Sequence, residues 1–269
     1  MGLDESMRHQ ILTRVCNKLE KLFIEVNMPE SHGLSHSKTV LGHMEKAIKT
    51  AEESMMKHLT PEKLLTLRLA AVLHEADDHK YFPDNKDFDN AHKFCDESFP
   101  DSVTNKNDLI SDVVNMISLV SASVNGNSVP EEAKTDPTLL WPRYCDRLES
   151  IGVIGAVRCY QYNCELGDPL MLDTTPRPRS EREVWEYVAE ERWVKYQSGG
   201  GSSASMMDHY YDKLLHVAKF DIDVIRSPYL VEEAKKRVQP LVNVCIESGK
   251  TGKAPVETIK KLEQSLKNK

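Results

Sequence analysis

The chain has 269 residues, of which 40% are hydrophobic and 29% are charged, and its formal net charge is -7. This composition is typical of a globular protein and argues against a disordered or collagen-like chain. The mild acidity disfavours a nucleic-acid polymer as partner, because a phosphate backbone selects surfaces rich in Lys and Arg, but it is compatible with a local basic pocket for a small phosphorylated ligand.

The apolar stretches and the N-terminal segment predict no membrane contact. The longest apolar runs, such as residues 69–73 and 151–157, are far shorter than the roughly 20 residues needed to cross a bilayer. Acidic residues precede any apolar run near the N-terminus, which is unlike a signal peptide. The six cysteines include no C-x-x-C pair and are predicted to be reduced core thiols. We therefore expect a cytoplasmic protein.

Apolar residues at three- and four-residue spacing predict helices along almost the entire chain. The first helix covers residues 7–27 and is followed by Pro29, which is typical of a helix end. A second amphipathic helix is predicted just after Ser35, over residues 36 to about 58. Thr60 and Pro61 then begin a third helix, with a capping hydroxyl and a proline in the first turn.

The third helix, from Leu64 to about Ala76, is apolar on nearly all sides. A helix with this pattern is expected at the centre of the fold. It ends in a polar run from His74 to Lys80, which is unusual for the end of a buried helix. The polar run is therefore the first candidate for a functional site.

The rest of the chain continues the helical pattern. Further helices are predicted near residues 90–97, 107–123, 137–148, 149–165, 181–197, 205–224, 229–247 and 255–267. Two loops, at 173–180 and 198–205, separate some of them. We expect an all-α fold in one domain over residues 1–269, with a core over about 30–220 and a C-terminal helical extension over about 225–269.

Four side chains with metal-binding chemistry lie at or near predicted helix ends. His36 opens the second helix, and His74 and Glu75 close the third. Asp146 lies much further along the chain. Imidazoles and carboxylates bind divalent cations such as Mn, Fe, Co, Zn and Mg. These side chains can share one cation if the helices that carry them pack together.

The segments around these side chains resemble the HD-domain metal-dependent phosphohydrolase superfamily, whose pattern is H…HD…D. Residues 32–40 are similar to its first-histidine segment, and residues 69–75, LAAVLHE, resemble its AALLHD helix. Residues 146–152, DRLESIG, resemble its DRLDAIG segment. Residues 209–215, HYYDKLL, are similar to the HFYEKLL ending of a bacterial branch related to nucleotide pyrophosphohydrolases. The resemblance covers roughly residues 30–220 and extends far beyond a single short motif.

The resemblance implies a helical HD bundle that holds one divalent cation, either Mn, Fe, Co, Mg or Zn. The ligands that it implies are His36, His74, Glu75 and Asp146. It further implies hydrolysis of a small phosphorylated substrate, a nucleotide or another phosphate ester, through a water activated by the cation.

The polar run after His74 also contains candidates for catalysis. Asp77 and Asp78 follow His74 by three and four residues, so on a continuing helix they lie on the same side as this ligand. We interpret one of them as the general base or water-orienting acid. Lys80 is the candidate catalytic phosphate contact, because its compact cation suits a phosphate. A phosphorylated ligand needs more positive partners, and the further candidates are Arg147, Arg158, His209 and Lys213.

One ligand departs from the family pattern, because Glu75 stands where the family has Asp. The extra methylene moves the carboxylate outward by about 1.5 Å, and misplacements near 1 Å can lower a rate by orders of magnitude. The alternative function is therefore a noncatalytic or weakened HD-fold protein that binds a metal or a nucleotide.

A less favoured alternative is a two-iron HD oxygenase, which needs additional histidines between the HD pair and the last Asp. Between Glu75 and Asp146 the chain offers only His79 and His92, so one cation per chain is predicted. The oligomeric state and the pathway stay open. Four further histidines are interpreted as ordinary interior or surface residues: His32, His43, His79 and His92.

Overall fold

A computed structural model describes residues 3–29 and 32–267, and among these residues the fold is all-α, as predicted, with no β-strand. The first and last residues of the predicted domain, 1 and 269, lie outside the described residues. The α-helices are α1 (Glu5–Glu25), α2 (Leu34–Lys49), α3 (Pro61–Leu73), α4 (Asp89–Ser98), α5 (Lys106–Ser118), α6 (Ala122–Asn125), α7 (Glu131–Thr135), α8 (Trp141–Ser150), α9 (Gly152–Leu166), α10 (Glu181–Tyr187), α11 (Glu190–Ser198), α12 (Met206–His209), α13 (Leu215–Val217), α14 (Ile222–Ile225), α15 (Pro228–Thr251) and α16 (Val256–Lys267).

Helix α3 begins as the sequence predicts. The Thr60 hydroxyl accepts a hydrogen bond from the backbone N–H of Lys63 at 3.2 Å. Pro61 occupies the first turn, where its missing N–H would have no partner within the helix. As the apolar pattern predicts, most side chains of α3 are buried, namely Leu65, Thr66, Leu67, Leu69, Ala70, Ala71, Val72 and Leu73.

The chain divides into two compact units. Unit 1 comprises Met1–Ser121, Ser128–Asp146 and Asp221–Leu230. Within unit 1, α3 packs against α1, α2 and α5, while α4 packs against α1 and α5. This packing brings the start of α2 close to the end of α3, where the predicted ligands lie.

Unit 2 comprises Ala122–Asn127, Arg147–Phe220 and Val231–Lys269. Within unit 2, α9 packs against α12 and α16, and α11 packs against a π-helical segment at Tyr210–Leu214. The single-domain organisation expected from the sequence stays a prediction.

Several long predicted helices are interrupted. The helix predicted over 36–58 is wrong in its second half, because α2 ends at Lys49 and a separate 3-10 helix covers Glu53–His58. This short helix still buries Met55, so the apolar spacing persists where the α-helix does not. The predicted helix over 181–197 is likewise divided into α10 and α11, and the one over 205–224 into α12, the π-helical segment, α13 and α14.

No described helix combines the length and the apolar character that a membrane span requires. All six cysteines are free. The predicted core position is confirmed for the four buried thiols, which are those of Cys95, Cys145, Cys159 and Cys245. It is wrong for Cys164, which is exposed near the end of α9, and Cys16 is only partly buried.

Candidate metal centre

Two imidazoles meet where α2 and α3 approach each other. His36 lies in the first turn of α2 and His74 caps the end of α3, and their Nε2 atoms are 3.1 Å apart. The Nδ1 atom of His74 lies 2.9 Å from the carbonyl oxygen of Ala71. A neutral His74 that donates Nδ1–H to this carbonyl presents an unprotonated Nε2, the form that binds a cation.

Two carboxylates complete the group. Asp146 Oδ1 lies 3.2 Å from His36 Nε2 and 3.6 Å from His74 Nε2. Glu75 Oε1 lies 3.6 Å from His36 Nε2 and 3.7 Å from His74 Nε2. One potential ligand atom from each of the four side chains therefore falls within 4.8 Å of the others. The structure brings together the four side chains that the sequence singled out.

The donor set fits a divalent cation. Bonds from such a cation to imidazole nitrogen and carboxylate oxygen are about 2.0–2.2 Å long, so neighbouring ligands of one cation lie roughly 3.0–3.5 Å apart at octahedral or tetrahedral angles. The separations of 3.1–3.7 Å around His74 and His36 are close to this range. Two imidazoles with two carboxylates suit Mn, Fe, Co or Zn, and ligand type alone does not select among them.

The imidazoles and carboxylates of the metal centre shift one another's pKa values. Burial disfavours the charged form of His74, but the hydrogen bond and charge of Asp146 and the charge of Glu75 outweigh burial and raise the pKa of His74 to about 9. Burial also opposes ionisation of Asp146, yet hydrogen bonds from His36 and His74 lower its pKa. The two carboxylates therefore stay ionised and require a positive charge between them, either a proton or a cation.

The longer side chain of Glu75 does not remove its carboxylate from the centre. The Glu75 side chain is only 9% exposed, and its Oε1 also lies 2.9 Å from His32 Nδ1. Burial raises the pKa of Glu75, but the hydrogen bond from His32 and the charge of His74 outweigh burial and lower it. Sequence reasoning missed His32, because this residue precedes α2 and helical spacing does not apply to it.

Helix α3 ends at Leu73, three residues earlier than predicted, and residues 74–77 form turns. The carboxylate of Asp77 accepts hydrogen bonds from Asn85 Nδ2 at 2.7 Å and from the backbone N–H groups of Asn90 and Ala91, both at 2.9 Å. These bonds fix the start of α4. They give Asp77 a structural role, and its catalytic role stays a prediction.

Asp78 lies beside the metal centre. Ligand atoms of His32, Glu75 and Asp78 form a second group within 4.8 Å of one another. Asp78 Oδ1 also accepts a hydrogen bond from the backbone N–H of Lys80 at 2.8 Å. The Lys80 side chain is exposed, and its role as a phosphate contact stays a prediction.

Two predicted phosphate contacts, Arg147 and Arg158, belong to unit 2. The Arg147 side chain is fully buried, and its guanidinium donates to Asn127 Oδ1 at 2.8 Å and to the carbonyl oxygen of Gly126. These bonds hold Arg147 to a neighbouring turn. Arg158 is half-buried on α9. Their substrate roles stay predictions.

His209 and Lys213, the other predicted contacts, also belong to unit 2. The expected regular α-helix between them is wrong, because Tyr210–Leu214 is π-helical. His209 Nδ1 lies 3.2 Å from Ser203 Oγ. Burial and the charge of Lys213 lower the pKa of His209 to about 3, so His209 is neutral near pH 7. A neutral imidazole can contact a phosphate only by a hydrogen bond, and this role stays a prediction.

The remaining histidines between and around the ligands are ordinary, with the exception of His32. His43 is buried, and its Nδ1 lies 2.6 Å from the hydroxyl of Tyr229. His79 and His92 are exposed, and neither belongs to a possible metal group within residues 3–29 and 32–267. The two-iron oxygenase stays a less favoured alternative.

Comparisons with known proteins extend this description. No family model matches the chain. The fold is similar to a crystal structure of a Lactobacillus plantarum protein, a Northeast Structural Genomics target, with a TM-score of 0.54, 19% identity, and coverage of 93% of this chain and 98% of the other. The chain is 35% identical over 224 residues to Uncharacterized protein L803 of Acanthamoeba polyphaga mimivirus, a match that covers 80% of this chain and 87% of the viral protein. The chain belongs to the same family as this mimivirus protein.

Proposed function

We propose that the chain is a metal-dependent phosphohydrolase acting on a nucleotide or another small phosphate ester. The observation that carries the proposal is the meeting of His36, His74, Glu75 and Asp146 around one point. The resemblance of the surrounding segments to HD-domain phosphohydrolases supports the same assignment. A divalent cation at this point would supply charge neutralisation for phosphoryl oxygens and would acidify an attacking water.

The side chains of the centre have separate tasks. His36 and His74, 8% and 2% exposed, would bind the cation from the interior and exclude water on that side. The Ala71 carbonyl orients His74 by accepting its Nδ1–H. Asp146 is 25% exposed, so the centre opens to solvent at this carboxylate. A phosphate would approach from this open side.

The proposal is tested by incubating the full chain with Mn, Fe, Co, Mg or Zn and a panel of nucleotides and phosphate esters, and by measuring released phosphate or pyrophosphate. Turnover should depend on the cation and should fall at least a hundredfold in His36→Ala. The control is His92→Ala, an exposed histidine outside the metal groups, which should keep full turnover. No turnover with any of the cations would contradict the proposal.

The noncatalytic alternative predicts a different pattern of results. A protein that only binds a metal or nucleotide should be stabilised by the ligand without any turnover. In a hydrolase weakened by Glu75, Glu75→Asp should increase turnover strongly. The free cysteines are compatible with the cytoplasmic location expected for either function.

A further inference from the structure

A second group of potential ligands adjoins the metal centre and shares Glu75 with it. One ring nitrogen of His32, one Glu75 oxygen and one Asp78 oxygen lie within 4.8 Å of one another. The Oε1 atom of Glu75 is 2.9 Å from His32 Nδ1 on one side and 3.6 Å from His36 Nε2 on the other. One carboxylate therefore reaches both groups.

The turn after α3 explains how this second group forms. The backbone N–H of Ala76 donates to the carbonyl of Leu73, and that of Asp78 donates to the carbonyl of Glu75 at 3.3 Å. Residues three apart in such a turn lie on the same side, so the carboxylates of Glu75 and Asp78 point toward a common region. The bond from the Lys80 N–H holds the Asp78 carboxylate in place.

The charge of the combined group favours more than one cation. With neutral imidazoles, one divalent cation leaves the carboxylates of Glu75, Asp78 and Asp146 with an excess of negative charge. Two divalent cations make the net charge of the group positive, which suits an anionic phosphate. Because Glu75 is largely buried, its charge needs nearby compensation rather than water.

We propose that His32, Glu75 and Asp78 bind a second divalent cation, with the Glu75 carboxylate shared between the two cations. Two carboxylates with one imidazole form a harder donor set than the metal centre, so the second cation is expected to be Mn²⁺ or Mg²⁺. Paired cations about 3.5–4 Å apart are a common arrangement for phosphate displacement. The inference rests on the proposed metal centre and gives Asp78 a ligand role in place of the predicted general-base role.

A carboxylate shared by two cations also explains why the side chain at position 75 is longer than the Asp of the HD-domain pattern. An Asp there would be about 1.5 Å shorter and would withdraw from His32. The Glu is therefore explained as a bridge rather than as a damaged ligand. The sequence predicted one cation because only His79 and His92 lie between Glu75 and Asp146, whereas the second group uses a histidine that precedes the first ligand.

The test measures bound Mn²⁺ per chain by equilibrium dialysis and elemental analysis of the chain over residues 1–269. The parent protein should bind two Mn²⁺, and both His32→Ala and Asp78→Asn should bind one. Asn keeps an oxygen that can accept the Lys80 N–H bond, so Asp78→Asn tests the ligand without removing the turn. His79→Ala is the matched control, because His79 is exposed in the same turn and should leave two Mn²⁺ bound.

Electron paramagnetic resonance supplies a second readout. Two Mn²⁺ ions that share Glu75 should couple and weaken the spectrum typical of an isolated ion, and His32→Ala should restore that spectrum. If the unmodified protein binds only one Mn²⁺ and His36→Ala loses it, the proposal of a second cation is overturned, while the proposed metal centre is supported. If the unmodified protein binds no Mn²⁺, the metal centre and the second cation are both overturned. If His32→Ala and Asp78→Asn each still bind two Mn²⁺, the assignment of these residues as ligands is overturned.

Discussion

Binding of the first cation should release a proton from His74. In the cation-free protein, burial opposes the imidazolium, but Asp146 and Glu75 raise the pKa of His74 to about 9. A ligand imidazole must be neutral, so below this pH the cation competes with a proton. The apparent affinity should therefore rise about tenfold from pH 7 to 8 and less steeply as the pH approaches 9, which amounts to about fiftyfold in total.

The proton release can be measured directly. Calorimetric titration at pH 7.5, in two buffers with different ionisation enthalpies, should show about one proton released per chain. His92→Ala should give the same value, since His92 is exposed and lies outside the metal groups. An affinity that does not change between pH 7 and 9, together with heats that do not depend on the buffer, would refute the proposed competition at His74.

The same protonation affects stability. Because the folded-state pKa of His74 is raised from 6.5 to about 9, its stabilising contribution is complete below about pH 6.5 and is lost as the pH rises through about 9. A shift of this size corresponds to on the order of 3 kcal/mol. Urea unfolding of the cation-free protein should show this loss, and a saturating cation should abolish it by replacing the proton.

Four further changes have direct expectations. Thr60→Ala removes the cap of α3 and should lower the free energy of unfolding by about 1 kcal/mol in urea denaturation, whereas Thr60→Ser should not. Leu69→Ala, at a fully buried position, should lower it by about 2–5 kcal/mol in the same assay. Asp77→Ala should speed hydrogen exchange at the start of α4, and unchanged exchange would contradict its structural role. Glu75→Asp should reduce bound Mn²⁺ from two per chain to one, as measured by elemental analysis.

The all-α class and the helices nearest the site could be predicted because local signals and burial agree there. Thr60 and Pro61 define the start of α3, and the apolar run that follows has no polar face to present to water. The predicted α-helices are wrong where the apolar spacing continues but the backbone changes to another type of helix. Met55 stays buried in a 3-10 helix, and Tyr210–Leu214 keeps its buried residues in a π-helix. Periodicity reports which residues face the core, but not which hydrogen-bond pattern connects them.

The four side chains that could hold a metal ion could be predicted from residue type and flanking motifs, although three separate segments supply them. The neighbouring acids could not be assigned in the same way. Asp77 and Asp78 are adjacent and chemically identical, and both follow His74 closely. Their different environments depend on where α3 ends and on how the chain returns to α4, since the loop donates to Asp77 from Asn85 and the first turn of α4 donates from two backbone N–H groups. Only the tertiary structure distinguishes Asp77, which caps the start of α4, from Asp78, which lies beside the metal centre.

The position of Glu75 connects these observations. The HD-domain pattern has Asp at this position, so the longer side chain of Glu75 suggests a displaced ligand. Compared with its surroundings, the same carboxylate lies between His32 and the imidazoles of His36 and His74. A side chain one methylene shorter would reach about 1.5 Å less far toward these three imidazoles. The departure from the pattern therefore fits the proposed second cation, which would share the longer carboxylate with the first.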